Sequence, residues 1–181
     1  MGKKVVIVPG NGAGDVTRAN WYGWVNRKLN EIPGLSSTLR NMPDPIVATR
    51  SVWLGFMEND LNVDKDTIVV GHSSGACAAV RYAETRQVQG LVLVGIYITD
   101  LGDENEAASG YFSDPWRWEK VRENAGWSVV FGSTDDPFLS WNQQEEAATC
   151  LGAELHKYED RGHFMNSTFP ELVKVIQERL K

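Results

Sequence analysis

The sequence predicts an α/β fold, a three-layer αβα sandwich of about six mostly parallel strands, on three observations. Apolar runs such as Val5-Val6-Ile7-Val8, Thr67-Ile68-Val69-Val70 and Gly90-Leu91-Val92-Leu93-Val94 recur along the chain. They are too uniformly apolar for a sheet wetted on one face, so they read as buried parallel strands. Segments with apolar residues spaced by three and four fall between them, as crossover helices would. The second run passes through Gly71-His72-Ser73-Ser74-Gly75 into a small-residue stretch, Ala76 to Ala83. Strand, G-x-S-x-G, helix is the context of a nucleophile elbow.

The elements follow in order. Val5 to Val8 is a central strand, closed by Pro9-Gly10, and Asn11-Gly12-Ala13-Gly14 continues a glycine-rich loop. That loop lacks the G-x-G-x-x-G and G-K-[ST] spacings of nucleotide sites. Trp21 to Ile32 reads as the first helix, ended by Pro33-Gly34. Ser36-Ser37-Thr38-Leu39 is a short strand at or near an edge, and Asn41-Met42-Pro43-Asp44-Pro45 a rigid loop. Thr49 suits the cap of a helix carrying Val52, Trp53, Phe56, Met57 and Leu61. After the elbow helix, which Arg81 interrupts, Gly90 to Gly95 is the fourth strand. The long segment from Ile96 to Ser128 holds an acidic stretch (Asp100, Asp103, Glu104, Glu106), read as a solvated loop, and an aromatic one, Tyr111 to Trp118. Pro115 suits the start of a helix reaching Asn124. Val129-Val130-Phe131 is the fifth strand, Trp141 to Leu151 a helix ended by Gly152, and Ala153 to Tyr158 an edge-like strand. Leu172, Val173, Ile176 and Leu180 share one face of a last helix, Pro170 to Leu180.

Composition narrows the function. The 181 residues read as one domain, 1–181, with 42% apolar and 23% charged residues and a net charge of −6. That balance argues against nucleic acid and against an anionic membrane surface as partners. No stretch reaches the roughly twenty apolar residues of a membrane span, and the first apolar run is too short for a signal peptide. Cys77 and Cys150 both fall in helices, so no disulfide framework is expected and a reducing, cytoplasmic setting is. The histidines, His72, His156 and His163, are scattered with no metal-ligand spacing; no metal and no cofactor are expected.

The elbow makes a chemical demand on the rest of the chain. A serine hydroxyl is a weak nucleophile and needs a base in hydrogen-bond reach, itself oriented by a carboxylate. In the elbow, Ser73 is the nucleophile, and Gly71 and Gly75 leave room for the neighbouring strand and helix. The Ser74 N–H, at the helix N-terminus, is aimed where an oxyanion forms, and the Asn11 N–H in the first loop supplies a second donor. His163, after Gly162 in the loop following the last strand, fits the base. His72 sits within the elbow and cannot fold back onto its neighbour, and His156 lies within a strand. The acid is Asp135 or Asp136, in the loop leaving the fifth strand. These loops all leave carboxyl ends of strands, where open α/β sheets bind ligands.

The sequence resembles the retinoblastoma-binding protein 9 family, small serine hydrolases of the α/β-hydrolase fold, over nearly its whole length. The resemblance is carried by Val6 to Gly12, Trp21 to Val25, Asn41 to Pro45, Gly71 to Gly75, Asp100 to Glu106, Ala108 to Phe112, Phe131 to Leu139 and Gly162 to Phe164. It implies a minimal α/β-hydrolase fold without a large lid domain, and a triad of Ser73, Asp136 and His163. Asp136 also has Leu139 at its third following position, where many α/β-hydrolases carry an aliphatic plug, whereas Asp135 has Phe138. The expected activity is acyl transfer to water from small esters or amides, as in a carboxylesterase or aminopeptidase. Trp116, Trp118, Phe138 and Trp21 are the expected pocket walls. The acidic stretch near Asp103 is a place where a substrate amino group would be attracted. The rival expectation is an interaction module with little catalysis. The L-x-C-x-E retinoblastoma-binding motif falls on Leu61-Asn62-Val63-Asp64-Lys65, where Val63 and Lys65 replace the cysteine and glutamate, so that partner is not expected.

Overall fold

The computed structural model describes residues 2–181. Its strands are β1 (Lys3–Val8), β2 (Leu35–Leu39), β3 (Thr67–His72), β4 (Gly90–Val94), β5 (Ser128–Ser133) and β6 (Glu154–Tyr158). They form one six-stranded sheet in the order β2-β1-β3-β4-β5-β6, every pair parallel. The helices are α1 (Tyr22–Asn30), α2 (Arg50–Asn59), α3 (Ser74–Ala83), α4 (Glu104–Ser109), α5 (Trp118–Asn124), α6 (Trp141–Leu151) and α7 (Pro170–Arg179). None is long and apolar enough to cross a membrane.

The two-residue period of the strands divides the core. Val6, Val8, Val69, Leu91, Leu93 and Val130 pack with residues of α2, α3, α5 and α6. Val5, Ile7, Ile68, Val70, Val92, Val94 and Phe131 pack with α1 and α7 on the other face. Both faces of the central strands are therefore dry, as their continuous apolar runs require. Each such side chain contributes about 1.5–3 kcal/mol of burial. The polar strand β2 and the half-exposed β6 take the edges. The chain first steps from β1 to β2, then returns to place β3 on the other side of β1, so strand order reverses at β1/β3. There Val8 pairs with Gly71, which brings the first loop beside the elbow.

Several expectations need correction. Helix α1 begins one residue late, with Trp21 as its flanking residue. Thr49 does not cap α2 with its side chain; its N–H instead donates to Asp44 Oδ2 at 3.0 Å. Val52 is exposed, and Leu61 is buried beyond the end of the helix. Helix α5 starts at Trp118 rather than Pro115. The cause is Arg81, which does not merely interrupt α3 but is buried at its core-facing side. A buried guanidinium must be surrounded by acceptors. Arg81 donates to the carbonyls of Tyr111, Asp114 and Pro115 and to Glu84 Oε1. The Asp114 and Pro115 carbonyls are those that a helix starting at Pro115 would have used for its first turn. The acidic stretch is not all loop either: Asp103 and Glu104 are exposed, but Glu104 and Glu106 lie in α4, capped by Asp103 Oδ1 accepting from the Glu106 N–H at 3.0 Å.

Candidate active site

The elbow is assembled from close approaches. Ser73 takes φ 56° and ψ −117°, a strained conformation for a non-glycine residue. It is held by its own N–H donating to the Val94 carbonyl and by its carbonyl accepting from Ala76 and Cys77. A Cβ on Gly71 would lie 2.3 Å from the Gly75 carbonyl oxygen, and one on Gly75 would lie 2.2 Å from that of Val8. In the first loop only Gly10 approaches the elbow closely, its notional Cβ meeting the Ser73 Cβ at 3.4 Å. Gly12 and Gly14 instead adopt φ of 71° and 66° with open space around them, so they serve the turn and not a close approach.

The two carboxylates after β5 separate cleanly. Asp136 accepts His163 Nδ1–H on Oδ2 at 2.7 Å and the N–H groups of Phe138 and Leu139 on Oδ1 at 2.9 and 3.0 Å. Leu139 is buried as a plug. Asp135 accepts from Ser133 Oγ and from the Gly162 N–H at 2.8 Å, and these bonds, the hydroxyl's first, hold its carboxyl below the usual range. It ties down the loop carrying His163 without touching the imidazole. Neither carboxylate caps α6, which Ser140 caps. With Nδ1 donating to Asp136, the neutral His163 ring presents Nε2 as an acceptor.

His72 has a different task. Its Nε2 meets the His163 carbonyl oxygen at 2.8 Å and so carries the proton; its Nδ1 then accepts from the Tyr22 hydroxyl at 2.6 Å. The Tyr22 oxygen in turn accepts the Gly10 N–H at 3.0 Å. First loop, elbow and final loop are thus stitched through one neutral imidazole. Burial, reinforced by the neighbouring His163, pushes its pKa down to about 3.

Ser73 and His163 line a cavity of about 730 Å³ together with Asn11, Phe138, Tyr97 and Glu106. That size suits a small organic ligand. Phe138, 63% exposed, stands at the mouth with its ring centroid 5.2 Å from that of His163. The other three expected walls are elsewhere. Trp21 is fully buried beneath the site, donating Nε1–H to the Phe164 carbonyl and packing against His72. Trp116 stacks on Trp118 and lies 3.8 Å under the Arg81 guanidinium, drawn there by the same cation that gathers the loop carbonyls. Among the described residues the N–H groups of Asn11 and of Ser74, the first residue of α3, have no hydrogen-bond acceptor.

Sequence reasoning missed Tyr22, Tyr97, Leu101, Glu106 and Met165, which also line this cavity. Glu106 accepts from Tyr97 Oη on Oε2 at 2.6 Å and from Asn11 Nδ2 on Oε1 at 3.4 Å. Burial raises its carboxyl against the pull of those donors, and burial raises the Tyr97 hydroxyl as well. One signal for it was present: Asp103-Glu104-Asn105-Glu106 has the D-x-x-E spacing of a helix start.

An elbow serine at a strand-order reversal, lining one cavity with the histidine of an Asp–His pair from later strand ends, belongs to the α/β-hydrolase architecture. The solved ydeN gene product from B. subtilis superimposes with a TM-score of 0.87 at 23% identity, covering 98% of each chain. Est1E from Butyrivibrio proteoclasticus, in a structure with ferulic acid bound, does so with a TM-score of 0.72 at 13% identity, over 98% of this chain and 88% of that one. Serine hydrolase RBBP9 of Rattus norvegicus is 58% identical over 177 residues, 98% of this chain and 95% of the relative. Residues 5–177 match the family described as serine hydrolase, and the chain belongs to that family.

Proposed function

We propose that the chain, acting as one domain, hydrolyses small esters or amides through an acyl-enzyme on Ser73. The observation that carries this reading is the 2.7 Å bond from His163 Nδ1 to Asp136 Oδ2 at the wall of the cavity that Ser73 also lines. It leaves Nε2 free to accept a proton from Ser73 Oγ as that oxygen attacks a carbonyl carbon. The carbonyl π electrons move to oxygen, and the N–H groups of Asn11 and Ser74 receive the resulting charge. Collapse of the tetrahedral adduct expels the leaving group, which takes the proton from His163. Water, deprotonated by the same nitrogen, then releases the acid and restores Ser73. Losing one oxyanion donor costs about 2.7–4 kcal/mol of transition-state stabilisation.

Phe138 forms the apolar side of the proposed substrate pocket, and Asp103 and Glu106 the polar side, where an amino group of an aminopeptidase-type substrate would be accommodated. Two free cysteines, one of them buried, support a reducing, cytoplasmic setting. The interaction-module reading is weaker, because the stretch that would carry it is not presented: Leu61 and Val63 are buried, and the Val63 carbonyl accepts from the Tyr82 hydroxyl. A fluorophosphonate probe tests the enzyme reading. Labelling of the folded protein at Ser73, abolished in Ser73→Ala, is expected; a folded protein that stays unlabelled and cleaves no member of a p-nitrophenyl ester and aminoacyl-amide panel refutes it.

A further inference from the structure

Glu106 is the one carboxylate of the cavity wall whose two oxygens lead to the two separate sources of oxyanion donors. Oε1 accepts from the side chain of Asn11. Oε2 accepts from Tyr97 Oη at 2.6 Å, and the Tyr97 oxygen lies 3.2 Å from Ser74 Oγ. A carboxylate offers only lone pairs, so Tyr97 must donate to it. The tyrosine oxygen is then free to accept, and Ser74 is the donor to Tyr97. The chain of bonds therefore runs in a single sense, from Ser74 through Tyr97 to Glu106, with Asn11 joining at the other oxygen.

The two donors differ in how firmly they are otherwise held. Ser74 opens α3, inside a helix that is buried throughout. Asn11 lies in a loop between Gly10 and Gly12, where flanking N–H groups are tied to the Tyr22 hydroxyl and the Pro45 carbonyl. The only side-chain bond that Asn11 itself makes among the described residues goes to Glu106. Glu106 is well placed to anchor it, since its own N–H is capped by Asp103 and its carbonyl accepts Ser109 Oγ at 2.6 Å. Helix α4 thus presents a fixed carboxylate between the glycine-flanked Asn11 and the buried start of α3.

We propose that Glu106 is a positioning residue that holds the Asn11 loop in register with the N-terminus of α3, so that both N–H groups meet the same developing oxyanion. The proposal rests on the reading of Asn11 and Ser74 as the oxyanion donors. Preorganised donors act only where the charge appears in the transition state, so a slackened brace lowers kcat more than it raises KM.

Glu106→Leu, Glu106→Gln and Tyr97→Phe test this on the full chain with a p-nitrophenyl ester. Glu106→Leu removes both arms, and kcat falls about 10- to 100-fold while KM stays within about threefold. A phenylboronic acid, whose tetrahedral adduct on Ser73 occupies the oxyanion position, loses affinity by a similar factor. Glu106→Gln keeps an acceptor for Tyr97 and can bond Asn11 with its amide reversed, and so recovers most of the lost kcat. Tyr97→Phe breaks the Ser74 arm alone and gives a smaller loss, and the double variant Glu106→Leu/Tyr97→Phe is no slower than Glu106→Leu, because the two sit in one chain of bonds. The proposal is overturned if Glu106→Leu keeps kcat within about threefold of the parent, if the loss lies in KM alone, or if Glu106→Gln is as slow as Glu106→Leu, which would make charge and not bracing the cause. Should Glu106→Leu fail to fold, Asn11→Ala, which removes that arm and keeps the backbone N–H, takes its place: a fall in kcat at nearly constant KM is expected, and kcat within about threefold of the parent overturns the proposal. Fluorophosphonate labelling of the parent separates the two levels: labelling with an unaffected Glu106→Leu sinks only the brace, while absent labelling sinks the hydrolase reading beneath it.

Discussion

Asp136→Asn is the sharpest probe of the proposed chemistry, because the structure fixes what the new amide must do. Asp136 Oδ1 accepts two backbone N–H groups, from Phe138 and Leu139, and Oδ2 accepts His163 Nδ1–H. An asparagine keeps the first two bonds only by placing its oxygen where Oδ1 was. Its NH2 group then faces Nδ1. A donor facing that nitrogen selects the tautomer with the proton on Nε2, and Nε2 is the atom that has to accept the proton of Ser73. The substitution also removes the negative charge that steadies the imidazolium. Losses of about 10⁴ in kcat accompany this change in serine triads, or about 5.4 kcal/mol at about 1.36 kcal/mol per tenfold. The fold is affected far less: no hydrogen bond is orphaned, so the stability change is expected to stay near 1 kcal/mol. The measurement is kcat/KM on a p-nitrophenyl ester beside a thermal melt, with Asp135→Asn as the companion. That companion keeps an oxygen for Ser133 and Gly162 and loses less than about tenfold. A rate for Asp136→Asn above a tenth of the parent's, or a deeper loss in Asp135→Asn, refutes the assignment.

Three further outcomes follow from the same geometry. Because His72 is held neutral with its pKa near 3 and an unfolded histidine titrates near 6.5, the unfolded chain binds a proton that the native one does not over that interval. This histidine therefore weakens the fold as pH falls below about 6, by up to about 1.4 kcal/mol per unit, and its ring resonances stay untitrated down to pH 5; a midpoint near 6.5 by NMR contradicts the buried network. Gly75→Ala puts a methyl 2.2 Å from the Val8 carbonyl oxygen and 2.5 Å from that of Pro9, backbone atoms that cannot rotate away, so denaturant titration is expected to show a loss of about 3 kcal/mol or more, or no soluble protein. Phe138→Ala and Trp116→Ala should divide function from stability: the first changes kcat/KM for bulky esters by about tenfold with little change in melting, whereas the second removes the ring under Arg81 and lowers stability by about 3 kcal/mol without altering substrate preference.

The sheet was legible because its evidence is local. Val5 to Val8, Ile68 to Val70 and Leu91 to Val94 are buried on both faces, and uninterrupted apolar runs are what that environment selects. The elbow was legible because three of its five residues are fixed by sterics and strain that only certain side chains tolerate. What escaped was long-range polar accounting. Glu84 is the only acceptor of Arg81 nearby in the chain; the others are carbonyls thirty or more residues away, and carbonyls leave no mark in a sequence. Once Arg81 is buried, Trp116 follows it, and an aromatic stretch that suggested pocket walls becomes packing around a cation. Glu106 was hidden for the same reason, its partners Asn11 and Tyr97 being gathered from two other loops. The role of His72 escaped too, because its bridging depends on Tyr22 and on a backbone carbonyl at residue 163.

That bridge has a consequence for the order of events at the ribosome. Gly10, Tyr22 and His72 emerge early, yet the carbonyl that His72 Nε2 needs belongs to His163, near the end of synthesis. Until then an imidazole destined for a dry interior has an unanswered proton, and the cavity beside the elbow lacks His163. On the proposed mechanism the growing chain is therefore inert towards esters through most of translation, until the loop after β6 brings His163 to the elbow.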